Sequence, residues 1–159
     1  MFRALSDFIS DISGGRREAS AFEDNDYRLA SAVLLVHVMA IDGAVTDEER
    51  EVLKTILSSR FDLTESDTDA LVELAITRDA EAVDLYAFTS ILNRALDEEG
   101  RLRVVEMMFE VAYADGNLTE FEDNLVWRAA ELLNIGSRDR VRIRRDVRRE
   151  AEGDGGHES

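Results

Sequence analysis

Two segments of this chain, residues 37–49 and 110–122, repeat one pattern at a constant offset of 73 positions. Val38 matches Val111, Asp42 matches Asp115, Gly43 matches Gly116, Thr46 matches Thr119 and Glu49 matches Glu122. Val45 and Leu118 are apolar equivalents. In each copy an apolar stretch runs into Asp-Gly, and Thr-x-x-Glu then opens an amphipathic stretch. A helix that is apolar nearly all round must be surrounded by other helices. Neither copy can cover its own apolar helix, so the two are expected to pack together about a pseudo-twofold axis. The expected fold is all-α, with seven to eight helices built on two helix–turn–helix repeats.

The rest of the chain fits that frame. Residues 26–41 carry Leu29, Val33, Leu34, Leu35, Val36, Val38, Met39 and Ile41, and read as a central buried helix. A helix from Asp47 to about residue 59 shows Val52, Leu53, Ile56 and Leu57 on one face. Thr64 or Ser66 caps the next, and Asp79 is read as opening another through Phe88, Ile91 and Leu92 to Ala95. Asp97, with Glu98 and Glu99, suits a helix N-terminus, where acids complement the dipole. That helix carries Met107, Met108 and Phe109, and with Trp127 these are expected in or beside the core. A helix follows over 120–134, and Gly136-Ser137 is read as stop and cap before an arginine-rich helix. The organisation expected is an amphipathic helix and linker over 1–23, a helical domain over 24–136, a basic helix over 137–150 and a disordered tail over 151–159.

Charge and composition narrow the function. The net charge is −16, which repels nucleic acid and anionic lipid and attracts cations and basic partners. Residues 137–150 hold seven arginines against three acids, a local +4 that leaves −20 for everything else. Docking of this helix on the acidic body, through charge more than through Ile143 and Val147, is one expectation; contact with an acidic partner is the other. In residues 1–12, Phe2, Leu5, Phe8, Ile9 and Ile12 recur at helical spacing. Their stripe needs a cover, from the body, a partner groove or lipid. Arg3 against Asp7 and Asp11 gives no positive excess, which argues against lipid.

Cysteine is absent, so disulfides, a thiolate nucleophile and cysteine-ligated zinc are excluded. No apolar run reaches the ~18 residues of a membrane span, and residues 1–12 do not read as a signal peptide. A cytoplasmic protein is expected. No Ser–His–Asp set, H-E-x-x-H, Walker loop or G-x-G-x-x-G occurs, so a binding module is expected rather than an enzyme.

The repeated residues have structural explanations first. Thr46-x-x-Glu49 and Thr119-x-x-Glu122 are capping boxes. Gly43 and Gly116 suit a backbone needing positive φ. Asp42 and Asp115 oppose the dipole of the helix they end, at roughly 0.3–1 kcal/mol each. Two explanations stand open: an Asx-type bond to the next helix, or a cation. If the turns converge, Asp42, Glu49, Asp115 and Glu122 form an all-oxygen set suited to Ca²⁺, Mg²⁺ or Mn²⁺. His37 is read as a hydrogen-bonded core residue, and its repeat equivalent Glu110 as its conceivable partner.

At Asp42-Gly43 to Glu49 and Asp115-Gly116 to Glu122 the chain resembles the TerB family, whose pattern is an apolar helix followed by Asp-Gly-x-(Val/Leu)-(Ser/Thr)-x-x-Glu, twice. The resemblance spans residues 24–134. Residues 25–28, 60–63 and 121–124 look like those of a stand-alone bacterial subfamily. The family is associated with tellurite resistance and also occurs at the N-terminus of some membrane-anchored J-domain co-chaperones. The resemblance implies the helical fold and an interaction or adaptor role in tellurite or general stress response. The expected partners are proteins with a basic surface, with a divalent cation as a further ligand. The alternative is a peripheral membrane or nucleic-acid contact through the terminal helices, 1–12 and 138–149.

Overall fold

The computed structural model describes residues 22–114 and 118–156. Among them all regular structure is helical: α1 (Tyr27–Met39) with a 3-10 turn (Ala40–Asp42), α2 (Asp47–Phe61), α3 (Glu65–Glu81), α4 (Tyr86–Ala95), α5 (Glu98–Ala112), α6 (Glu120–Leu132) and α7 (Ser137–Gly156). Residues 1–12, expected as an eighth helix, lie outside the described residues.

α1 is the axis of the molecule. Asp26 caps it by accepting the Arg28 N–H at 2.8 Å, and residues 29–36, 38 and 39 are all buried. It packs against α2, α3, α4, α5 and α6, so no face is left for solvent, as the all-round apolar sequence demands. Each fully buried leucine there, such as Leu34 and Leu35, contributes about 1.5–3 kcal/mol relative to exposure. α5 is the second axis, burying Val104, Val105, Met107, Met108 and Phe109. α1 touches α5 and α6, while α5 touches α1 and α2. That reciprocity is what two interlocked helix–turn–helix copies require.

The repeat reaches further than the motif. α2 and α6 both end with a non-glycine residue in left-handed conformation, Asp62 at φ 54° and Asn134 at φ 63°. Leu63 N–H then bonds Ser58 O at 3.1 Å, and Ile135 N–H bonds Ala130 O at 2.9 Å. This six-to-one closure satisfies carbonyls a helix end would otherwise orphan. The sequence reading placed the second stop at Gly136, two residues late.

Two other boundaries differ. α3 runs through Asp79 to Glu81, and α4 opens at Tyr86. Asp79 is engaged by His37 instead of capping; Asp84 accepts the Tyr86 N–H at 2.9 Å and starts α4. α7 continues past residue 150 to Gly156, helped by the Arg148–Glu152 pair at i,i+4.

Nor is α7 held chiefly by charge. Ile143 and Val147 are 6% and 4% exposed, sealed against the body with α5 as the main neighbour. Two arginines reinforce the seal. Arg140 stacks over Trp127 at 4.7 Å and donates to its carbonyl at 3.2 Å, and Arg144 pairs with Asp123 at 3.2 Å. Arg138, Arg142, Arg145, Arg148 and Arg149 remain exposed. The basic helix is therefore part of the domain.

Candidate functional site

The first repeat turn is built as its residues dictate. Gly43 sits at φ 148°, directly after Asp42 closes the 3-10 turn. Thr46 then accepts the Glu49 N–H at 3.1 Å, and Glu49 Oε1 accepts the Thr46 N–H at 2.9 Å. Thr119 and Glu122 form the same reciprocal pair at 3.1 and 2.9 Å. Both predicted capping boxes are present. The carboxylate of the second is better shielded: Glu122 is 8% exposed, whereas Glu49 is half-buried, and both threonines are exposed.

The helix starts that follow the two turns converge. A cavity of about 410 Å³ lies between them, with Met39, Val52, Val111 and Ala114 as its apolar walls and Thr46, Glu48, Glu49 and Glu122 as its polar ones. Glu49 and Glu122, two of the four expected cation ligands, thus share one cavity. Asp115 lies outside the described residues, as do Gly116 and Asn117. Among the described residues no cluster of three or more His, Asp or Glu side chains is placed to hold a metal ion.

His37 and Glu110, repeat equivalents, are not partners. His37 Nδ1 lies 2.6 Å from Asp79 Oδ1 on α3, and the His37 side chain is half-buried instead of in the core. Glu110 takes Arg60 at 2.5 Å, and the same guanidinium reaches Glu106 at 2.9 Å. α2 supplies the cation for Glu110 and α3 the carboxylate for His37. Burial pushes the Glu110 carboxyl above its ordinary range, against the pull of Arg60.

A second hollow of about 420 Å³ opens where the end of α1, the start of α4 and the outer face of α6 meet. Ile41, Leu85, Tyr86, Phe121 and Leu125 give it an apolar lining; His37, Asp84, Asn124 and Arg128 give it polar edges. Tyr86 is 66% and Phe121 72% exposed, and Ile41 is also exposed. Val83, beside Asp84 in the α3–α4 loop, stands 98% in solvent. The sequence reading missed this groove. Its one legible signal was inside the repeat: Phe121 stands where the first copy has Glu48, an aromatic on the first turn of a surface helix in place of an acid.

A larger depression of about 690 Å³ on α3 is lined by Glu65, Asp69 and Glu73. Asp69 and Glu73 serve the fold, since Lys54 pairs with Asp69 at 3.1 Å and Arg50 with Glu73. No helix among the described residues is long and apolar enough to cross a membrane.

Comparison with known proteins adds one finding. The family model described as "Tellurite resistance protein TerB" matches residues 28–145, which takes in α1 from its second residue, α2 to α6 and the first part of α7 with Ile143. No curated protein and no solved structure matches the chain. With most of its length matched, both Asp-Gly…Thr-x-x-Glu copies present and an all-helical fold around them, the chain belongs to the TerB family.

Proposed function

We propose that this chain is an acidic helical interaction module of the tellurite or general cytoplasmic stress response, and that the groove between α1, α4 and α6 receives an apolar segment of a protein partner. It acts by binding, not by chemistry. The observation that carries the reading is the gathering of Ile41, Tyr86 and Phe121, exposed and adjacent, on one concave surface. Exposed aromatics around a hollow are the usual anchors of protein interfaces. The −16 net charge steers basic partners toward the surface, and Asp84 at the groove edge and exposed Glu120 beside Phe121 suit a basic flank on the bound segment. Complementation tests this in cells. A strain lacking the chain should be tellurite-sensitive, rescued by the wild type and not by Tyr86→Ser with Phe121→Asp. Rescue by the double variant would overturn the groove's role, and a strain that tolerates tellurite without the chain would overturn the stress link.

A second reading is favoured by the cavity that the two capping boxes share. Glu49 and Glu122 line one cavity, and each carboxylate uses Oε1 for its cap. With Asp42 and Asp115 they would supply oxygen ligands to Ca²⁺, Mg²⁺ or Mn²⁺. For a Kd of roughly 100 μM, 10 mM Ca²⁺ raises stability by about 2.7 kcal/mol. Asp42→Asn with Asp115→Asn should abolish the rise in Tm. A wild type unmoved by calcium, or a double variant that responds equally, would rule the site out.

A further inference from the structure

The groove leaves large apolar side chains in water, and the same chain carries an apolar stripe that needs a cover. Residues 1–12 present Phe2, Leu5, Phe8, Ile9 and Ile12 at helical spacing. The start of the described chain is linked to the groove through the end of α3. Phe22 is buried, with the Arg28 guanidinium 4.7 Å over its ring. Asp24 is tied to Arg78 at 2.6 Å. The next residue, Asp79, holds His37, a wall of the groove. Residues 13–21 between the stripe and Phe22 can reach roughly 30 Å when extended, so the groove lies within range. The charges are compatible as well: residues 1–12 carry Asp7, Asp11 and Arg3, and the groove edge carries Arg128 and Asp84.

We infer that residues 1–12 dock in the groove of their own chain, with the Phe8 and Ile9 stripe against Tyr86, Phe121 and Ile41, and act as a tethered competitor that a partner must displace. This rests on the groove being the partner site. Tethering holds the segment at a local concentration in the millimolar range for a short flexible linker, so a weak intrinsic contact suffices to keep the aromatics covered. Displacement by a tighter partner then exposes residues 1–12 at the moment of binding.

The absence of cysteine makes the test clean. Full-length chains carrying Asn124→Cys with either Ser6→Cys or Ser10→Cys are oxidised, beside controls that pair the same N-terminal cysteines with Ser66→Cys on the far face of α3. Docking predicts an intramolecular disulfide that forms at least about tenfold faster with Asn124→Cys than with Ser66→Cys, and that Phe121→Asp slows. Removing residues 1–12 should raise binding of an apolar dye several-fold, and Phe121→Asp should cancel the rise. Equal rates at both positions, a disulfide linking two copies, or no change in dye binding would overturn the proposal. So would flotation of the full chain with phosphatidylglycerol vesicles that Phe8→Asp abolishes, since lipid would then be the cover. The cross-link needs no partner. Its failure leaves the partner reading untouched, and failed complementation beside a normal cross-link sinks the partner reading alone.

Discussion

The cavity between the repeat turns and the groove between α1, α4 and α6 are nearly equal in volume, about 410 and 420 Å³, and opposite in origin. The polar wall of the first is chiefly repeated residues, Thr46, Glu49 and Glu122, all engaged in helix caps. The second is made where the copies diverge. Ile41 answers to Ala114, His37 to Glu110 and Phe121 to Glu48, and Tyr86 and Leu85 lie outside the repeat altogether. Repetition here encodes the scaffold, and departure from repetition encodes the surface left for binding.

The largest expected effect guards against overextending that contrast, because α7 lies outside the repeat and is nonetheless structural. Ile143→Ala should cost about 2–4 kcal/mol in urea unfolding. A cost under about 0.5 kcal/mol would mean that α7 is held by its arginines after all. Next comes the asymmetry between the caps. Glu122→Ala removes a buried carboxylate that receives the Thr119 N–H and should cost about 2 kcal/mol, whereas Glu49→Ala, at a half-buried position, should cost at most about 1. Equal losses would show that burial adds nothing to the second cap. Thr46→Ala and Thr119→Ala should each cost about 1 kcal/mol, without changing the environment of Tyr86 as seen by NMR. Smallest are the groove substitutions. Tyr86→Ser and Phe121→Ser should stay within about 0.5 kcal/mol of wild type, because their side chains are mostly in solvent. A larger loss would make them packing residues.

Legibility in the sequence followed the same division. The central helix, both capping boxes, the Asp97 cap and the burial of Met107 and Met108 could be read because propensity, periodicity and capping chemistry are local. The helix ends at Asp62 and Asn134 could not, since non-glycine residues in left-handed conformation leave no marker as plain as glycine. Asp79 misled because a carboxylate before a helical stretch looks like a cap until its distant partner, His37, is known. The Arg60–Glu110 pair spans 50 positions, and the groove draws on residues from His37 to Leu132. No local pattern announces either. That Glu49 and Glu122, 73 positions apart, line one cavity is likewise a product of packing between the copies.

The division between a repeated scaffold and a non-repeated binding surface is tested most directly by one capture experiment with three baits. Wild type, Phe121→Asp and Thr119→Ala are each used to retain proteins from the native lysate, at a temperature well below all three melting points. The account predicts that Phe121→Asp keeps its Tm and loses the wild-type partners, while Thr119→Ala loses Tm and keeps them. Partners that survive Phe121→Asp and vanish with Thr119→Ala would place the binding surface at the repeated turns and contradict it.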